Sequence, residues 1–107
     1  MFPIHGCKHE SLHCYQHLLS VARWFQTLQP PRGSRRLLDQ GQRASESAVL
    51  NLAEGCYRTG KDRAYHMRVA QGSAAETVAV LDLLRVPEAS ENQQRLRGAV
   101  AMIRGLM

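Results

Sequence analysis

The chain is poor in lysine and in aromatic residues. Of its 14 basic residues only Lys8 and Lys61 are lysine, and aromatics make up 6% of the whole, so few rings are on hand to stack against a ligand or a base. No apolar run approaches the roughly 20 residues of a membrane span, so no membrane partner is expected. Nothing alternates convincingly with period two, which argues against a sheet. The start, Met1-Phe2-Pro3-Ile4-His5-Gly6, lacks the basic opening and apolar core of a secretory signal, and the expected location is the cytoplasm. Internal repeats, low-complexity stretches and linkers are missing, so residues 1–107 read as a single domain. Three cysteines, Cys7, Cys14 and Cys56, cannot all pair within one chain and form no C-x-x-C unit; they read as reduced thiols acting as small apolar filler. There is no Ser-His-Asp order, glycine-rich phosphate loop or nucleophile elbow. The expectation is a protein that is not an enzyme and that needs no cofactor.

What is present is helical periodicity. Leu12, Tyr15, Leu18, Leu19, Ala22, Phe25 and Leu28 mark a first stripe, over about 9–29, which ends before Pro30-Pro31-Arg32-Gly33. Ser34 suits an N-cap for a second run, over 34–54, striped by Leu37, Leu38, Gly41, Ala44, Ala48 and Leu52. Gly55 follows it as an expected left-handed C-cap. A third run, over 60–85, starts behind Thr59, with Asp62 three residues on in the manner of a capping box. It carries Met67, Ala70, Ala74, Thr77, Val78, Leu81 and Leu84, and Pro87 stops it. A fourth run, over 90–106, pairs Ser90 with Gln93 as a second expected capping box and is striped by Leu96, Ala99, Val100, Ile103 and Leu106. Short loops make sequential helices antiparallel neighbours. The expected fold is all-α, an antiparallel up-down-up-down four-helix bundle.

The net charge of +5 is carried mainly by arginine, whose planar fork suits phosphates and carboxylates. Arg32, Arg35 and Arg36 cluster before the second run; Arg58, Lys61, Arg63 and Arg68 cluster around the start of the third. These seven are the candidate nucleic-acid-binding residues, with contacts mostly to phosphate. The alternative is a basic surface whose charge is incidental.

Inside the second run, Arg43, Ser47, Asn51 and Glu54 follow at spacings of four, four and three and form one polar ridge. Ser73 and Glu76 form a shorter ridge on the third run. Facing ridges of this kind can hydrogen-bond across a helix pair, with Glu76–Arg43 and Glu54–Arg58 as the expected charged pairs. The structural reading is that Asn51, Glu54 and Ser73 hold two helices in register. A direct ligand contact is the other reading, and a catalytic Glu54–Glu76 pair is disfavoured because nearby arginines would keep both carboxylates ionised.

The block from Gln40 to Glu76, namely Gln40, Arg43-Ala44, Ser47, Asn51, Ala53-Glu54-Gly55, Arg58, then Ala70, Gly72-Ser73 and Glu76, resembles a small four-helix-bundle family. The family is that of proteins encoded in intervening sequences of bacterial large-subunit ribosomal RNA genes, together with the accessory variability determinant of diversity-generating retroelements. Leu37, the Pro30-Pro31 loop and Tyr15-Gln16 fit the same pattern. Val49 stands where members often carry a helix-bending proline, and His66 where they usually carry an aromatic; the second departure implies a repacked or more polar contact. The resemblance implies a homo-oligomer, specifically a pentameric ring, and nucleic acid as partner. In the retroelement members it also implies a reverse transcriptase.

His5, His9, His13 and His17 recur every four residues. If the first helix starts near His9, then His9, His13 and His17 share a face and are the candidates for a zinc, copper or nickel site. A polar face or subunit contact is the plainer reading, and no metal is expected. Trp24 continues this face away from Leu18, Ala22 and Phe25, so it is expected to lie outside the monomer core as a subunit anchor. The preferred function is a non-enzymatic, basic, oligomeric nucleic-acid-binding module. The alternative is a structural or interaction oligomer, with or without a histidine-based metal site.

Overall fold

The computed structural model describes residues 7–107. A turn of 3-10 helix, Lys8–Ser11, leads into four helices: α1 (His13–Thr27), α2 (Arg35–Cys56), α3 (Gly60–Leu84) and α4 (Ala89–Arg104). There is no strand among the described residues. The apolar stripes converge on one core built from Leu18, Val21 and Phe25 of α1, Leu38, Ala48 and Leu52 of α2, Met67, Ala70, Ala74 and Leu81 of α3, and Leu96, Ala99 and Ile103 of α4. Every helix thus buries one face, as a 3.6-residue repeat requires. No helix among the described residues is long and apolar enough to cross a membrane.

The α2–α3 pair makes the most extensive contact, followed by α3–α4, α1–α2 and α1–α4. Small residues on α2 explain the close approach. A Cβ placed on Gly41 would lie 2.5 Å from Phe25 Cε1 and 2.9 Å from Val80 Cγ1. Gly41 therefore lets α1 and α3 reach the α2 backbone at one level. Partners across α2 and α3 run in opposite numerical order: Gln40 with Glu76, Ser47 with Ser73, Asn51 with His66. The same reversal holds between α3 and α4, where Gln71 Nε2 donates to Val100 O and Gln93 Nε2 to Val78 O.

Several expected helix ends differ. α1 starts at His13 rather than near His9, because Leu12 is extended (φ −79°, ψ 131°) and separates it from the 3-10 turn. Gly55 is not a C-cap: α2 continues through Cys56, and Gly55 is buried where an added Cβ would meet Met67 and His66 at 3.0–3.3 Å. Neither capping box forms. Thr59 does cap α3 in an extended conformation, but without a side-chain bond, and Asp62 turns to Arg58 instead. α4 begins one residue before Ser90, behind Glu88, whose backbone is left-handed at φ 69°. Gln93 is drawn away to α3, donating to Val78 O and to Asp82 Oδ1 at 2.8 Å. A tertiary partner has outcompeted local capping at α4, and at α3 the competitor is Arg58, four residues before Asp62. Trp24 also departs from expectation: it is half-buried against the core, with its ring 5.2 Å from that of Phe25 in an edge-on arrangement.

Candidate nucleic-acid interface

The Gln40–Glu76 block lies along the α2–α3 seam. Ser47 Oγ meets Ser73 Oγ at 2.9 Å. Asn51 Nδ2 donates to Ser47 O at 3.0 Å and lies 3.3 Å from Ser47 Oγ. With its amide so engaged, Asn51 presents Oδ1 to His66 Nδ1 at 3.0 Å, and that geometry requires His66 to carry its proton on Nδ1. His66 Nε2 then faces Asp62 Oδ1 at 4.0 Å. The result is a half-buried polar strip between two helices, with His66 as its α3 member opposite Asn51.

Glu54 and Glu76 take other roles than expected. Glu54 stays exposed on its own helix and binds Arg58, with Oε2 2.7 Å from both Nε and Nη2. Among the described residues it makes no side-chain bond to α3, but it completes a fan in which Arg58 Nη1 also reaches Asp62 at 3.3 Å. Hydrogen bonding to Glu54, reinforced by its charge and that of Asp62, raises the Arg58 guanidinium above its already high ordinary value. Glu76 accepts from Gln40 Nε2 at 3.1 Å, and no Glu76–Arg43 ion pair occurs among the described residues. Gly72 sits on the exposed side of α3 with open space where a Cβ would stand.

The seven candidate cations fall into three groups. Arg32, Arg35 and Arg36 are exposed at the start of α2, free of ion pairs among the described residues. Arg36 also lines a shallow surface recess with Asp39, Gln40 and Arg43. Lys61 and Arg68 are likewise exposed and unpaired on α3. Arg58 is tied to two carboxylates, and Arg63 is committed inward: its Nε donates to Leu106 O at 2.8 Å and its Nη1 to Gly55 O at 3.1 Å. Arg63 thereby fastens the end of α4 to the end of α2. α2 has 22 residues and so spans about 33 Å at 1.5 Å per residue; Lys61 lies past its far end from Arg35, and Arg68 is seven residues further along α3, which runs back alongside α2.

Two tyrosines were not anticipated as part of a binding surface. Tyr57 and Tyr65 are 51% and 57% exposed, one on each side of the α2–α3 turn. The signal in the sequence is that Tyr65 falls off the Met67–Ala70–Ala74 stripe while Lys61 and Arg68 flank it at helical spacing. The histidines do not form the expected face. His5 lies outside the described residues. His9 is on the 3-10 turn, its ring 4.7 Å from Tyr15 and 6.3 Å from Tyr57, and only His13 and His17 belong to α1. No cluster of three or more His, Cys, Asp or Glu side chains able to hold a metal exists among the described residues. Cys7 is exposed, whereas Cys14 and Cys56 are buried. Burial raises both inner thiols above their ordinary value; nearby Arg63 and Lys8 oppose this at Cys56.

No curated protein and no solved structure matches the chain. A family model described as 23S rRNA-intervening sequence protein matches residues 10–99. That span takes in all of α1, α2 and α3, the Ser47–Asn51–His66–Ser73 strip and most of α4, and the chain belongs to the 23S rRNA-intervening sequence protein family.

Proposed function

We propose that this chain is a non-enzymatic nucleic-acid-binding protein, an up-down-up-down four-helix bundle that works as a cytoplasmic homo-oligomer. The observation that carries the reading is the set of exposed cations, Arg32, Arg35, Arg36, Lys61 and Arg68, that find no carboxylate partner among the described residues. Unpaired arginine forks suit phosphate oxygens, and their neutralisation by a polyanion releases counterions. The reversed order of contacts across α2–α3 and α3–α4 supports the topology. Self-association is supported by two open apolar grooves, one lined by Leu19, Ala22, Val49 and Leu50 and the other by Ala75, Val78, Val100 and Ala101. A pentamer is the stoichiometry implied by the family resemblance, and an oligomer would bring cation clusters of neighbouring copies onto one surface. The resemblance of the α2–α3 block to the accessory variability determinant makes a reverse transcriptase the protein partner to try first, by co-purification.

The test is binding to labelled RNA and DNA across a salt series, on the assembled protein. Affinity is expected to fall linearly with salt on a log–log plot, by about 0.7–0.9 per phosphate neutralised. Replacing Arg35 and Arg36 together with Gln should lower that slope by about 1–2 and weaken different sequences alike. An unchanged slope would exclude this cluster as the site. A stable assembly that binds neither RNA nor DNA at low salt would leave a structural or interaction oligomer, and the charge would be incidental.

A further inference from the structure

We propose that the α2–α3 turn carries a stacking platform for unpaired bases, with Tyr65 as its centre and Tyr57 as a second ring, so that the ligand is single-stranded nucleic acid. The proposal rests on the nucleic-acid reading above and narrows its ligand. Three observations converge. First, Tyr65 is 57% exposed although it sits inside a regular helix, so its ring contributes little to the core. It meets the ring of the adjacent His66 edge-on at 5.2 Å, and His66 is in turn held by Asn51.

Second, Lys61 and Arg68 lie four residues before and three residues after Tyr65, on the same exposed face of α3. Neither is neutralised by a carboxylate among the described residues. A base on Tyr65 would therefore have a cation on either side for the phosphates that flank it. An exposed tyrosine bracketed by unpaired cations fits an oligonucleotide better than it fits a second copy of a chain with net charge +5.

Third, a second exposed ring, Tyr57, stands at the α2 end of the same turn. It is 51% exposed, its hydroxyl accepts the Lys8 amide N–H at 2.9 Å, and the Lys8 ammonium lies 5.2 Å from its ring centre. It forms one wall of a recess with His9, Leu50, Ala53 and Glu54. Among the described residues, Arg32, Arg35 and Arg36, at the other end of α2, have no exposed large aromatic beside them: the exposed large apolar side chain in the surface recess formed there with Gly33, Ser34, Arg36, Leu37 and Gln40 is Leu83. One end of α2 thus offers phosphate contacts alone, and the other offers phosphate contacts with rings. Base stacking on an aromatic is tolerant of sequence because every base has a π-face.

The experiment compares the parent with Tyr65→Leu, Tyr65→Phe and Tyr57→Leu on three probes: an unstructured oligo-U, an oligo-dT and a blunt DNA duplex. A 2-aminopurine placed within a single strand reports stacking directly. Tyr65→Leu is expected to weaken single-strand binding by roughly 5- to 150-fold, to leave the salt slope unchanged, and to spare duplex binding. Tyr65→Phe should keep parental affinity and 2-aminopurine quenching. Tyr57→Leu should act in the same direction as Tyr65→Leu. The platform is overturned if Tyr65→Leu binds single strands like the parent, or if it weakens duplex and single strand equally. It is also overturned if light scattering shows that either Leu variant changes the assembly mass, since the rings would then belong to a subunit contact. Failure of the parent to bind any probe at low salt is a different result, because it removes the nucleic-acid reading itself.

Discussion

Asn51 shows how much one side chain settles in this protein. Its amide is anchored on Ser47 of its own helix, which leaves Oδ1 as the only group it can offer to α3. That choice determines which nitrogen of His66 carries the proton. Removing the Asn51 carboxamide would leave the half-buried His66 N–H without an acceptor, at a cost of about 1–3 kcal/mol. Asn51→Ala is therefore expected to lower stability by that amount in urea melts with an unchanged m-value, and a change below about 0.5 kcal/mol would mean that water replaces the amide. Glu54 contrasts with it. Glu54 is exposed and its partner Arg58 is on the same face one turn away, so Glu54→Ala should leave the melting temperature close to that of the parent. The sequence placed Asn51, Glu54 and Ser73 in one structural class. Spacing along α2 puts Asn51 and Glu54 on one ridge, but it does not say which of them points across the seam.

At the scale of the helix, glycine separates two kinds of position. Gly41 is buried where α1, α2 and α3 meet, and a Cβ there would collide with the Phe25 ring and Val80. Gly41→Ala is expected to destabilise by about 1–3 kcal/mol, because Phe25 is fully buried and has nowhere to move. Gly72 on α3 and Gly98 on α4 have open space in the Cβ direction. Gly72→Ala and Gly98→Ala should each stabilise by about 0.5–1 kcal/mol through helix propensity alone. Thermal melts of the three variants test both halves, and a stabilised Gly41→Ala would refute the close-packed junction. The helical stripes themselves were legible because burial on one face imposes the 3.6-residue repeat. The ends were less so. Gly55 has the composition of a C-cap, yet it is spent on close packing against Met67 and His66, and Gln93 leaves its expected cap for α3.

For the whole molecule, the two inner thiols give a pH-dependent readout of the core. Burial raises the Cys14 and Cys56 thiols in the folded state above their ordinary value of 9.0. The folded chain thus holds these protons more tightly than the unfolded chain. Their contribution is fully present below about pH 9 and is lost as pH rises from there through the folded values. A chain carrying Cys14→Ala and Cys56→Ala should show a shallower fall in stability between about pH 8.5 and 10, although its absolute stability will be lower. Native-state alkylation should modify the exposed Cys7 quickly and the inner two only after unfolding. Equal alkylation rates for all three would contradict the burial.

Periodicity, proline breaks and small residues by themselves determined the all-α class, the four helices and most of the core, because each helix must hide one apolar face. The Gln40–Glu76 pattern by itself also determined the family. Only the tertiary structure decided what the polar residues do. It turned Arg63 inward to Leu106 O and Gly55 O, left Lys61 and Arg68 outside with no ion pair among the described residues, and brought Trp24 against the core. It also placed His9 on a 3-10 turn beside Tyr15 and Tyr57, away from His13 and His17. The physical reason is that hydrophobic burial is repetitive and leaves a periodic trace in the chain. A hydrogen bond or ion pair depends on which of several reachable partners a neighbouring helix presents, and that is known only once the helices have packed.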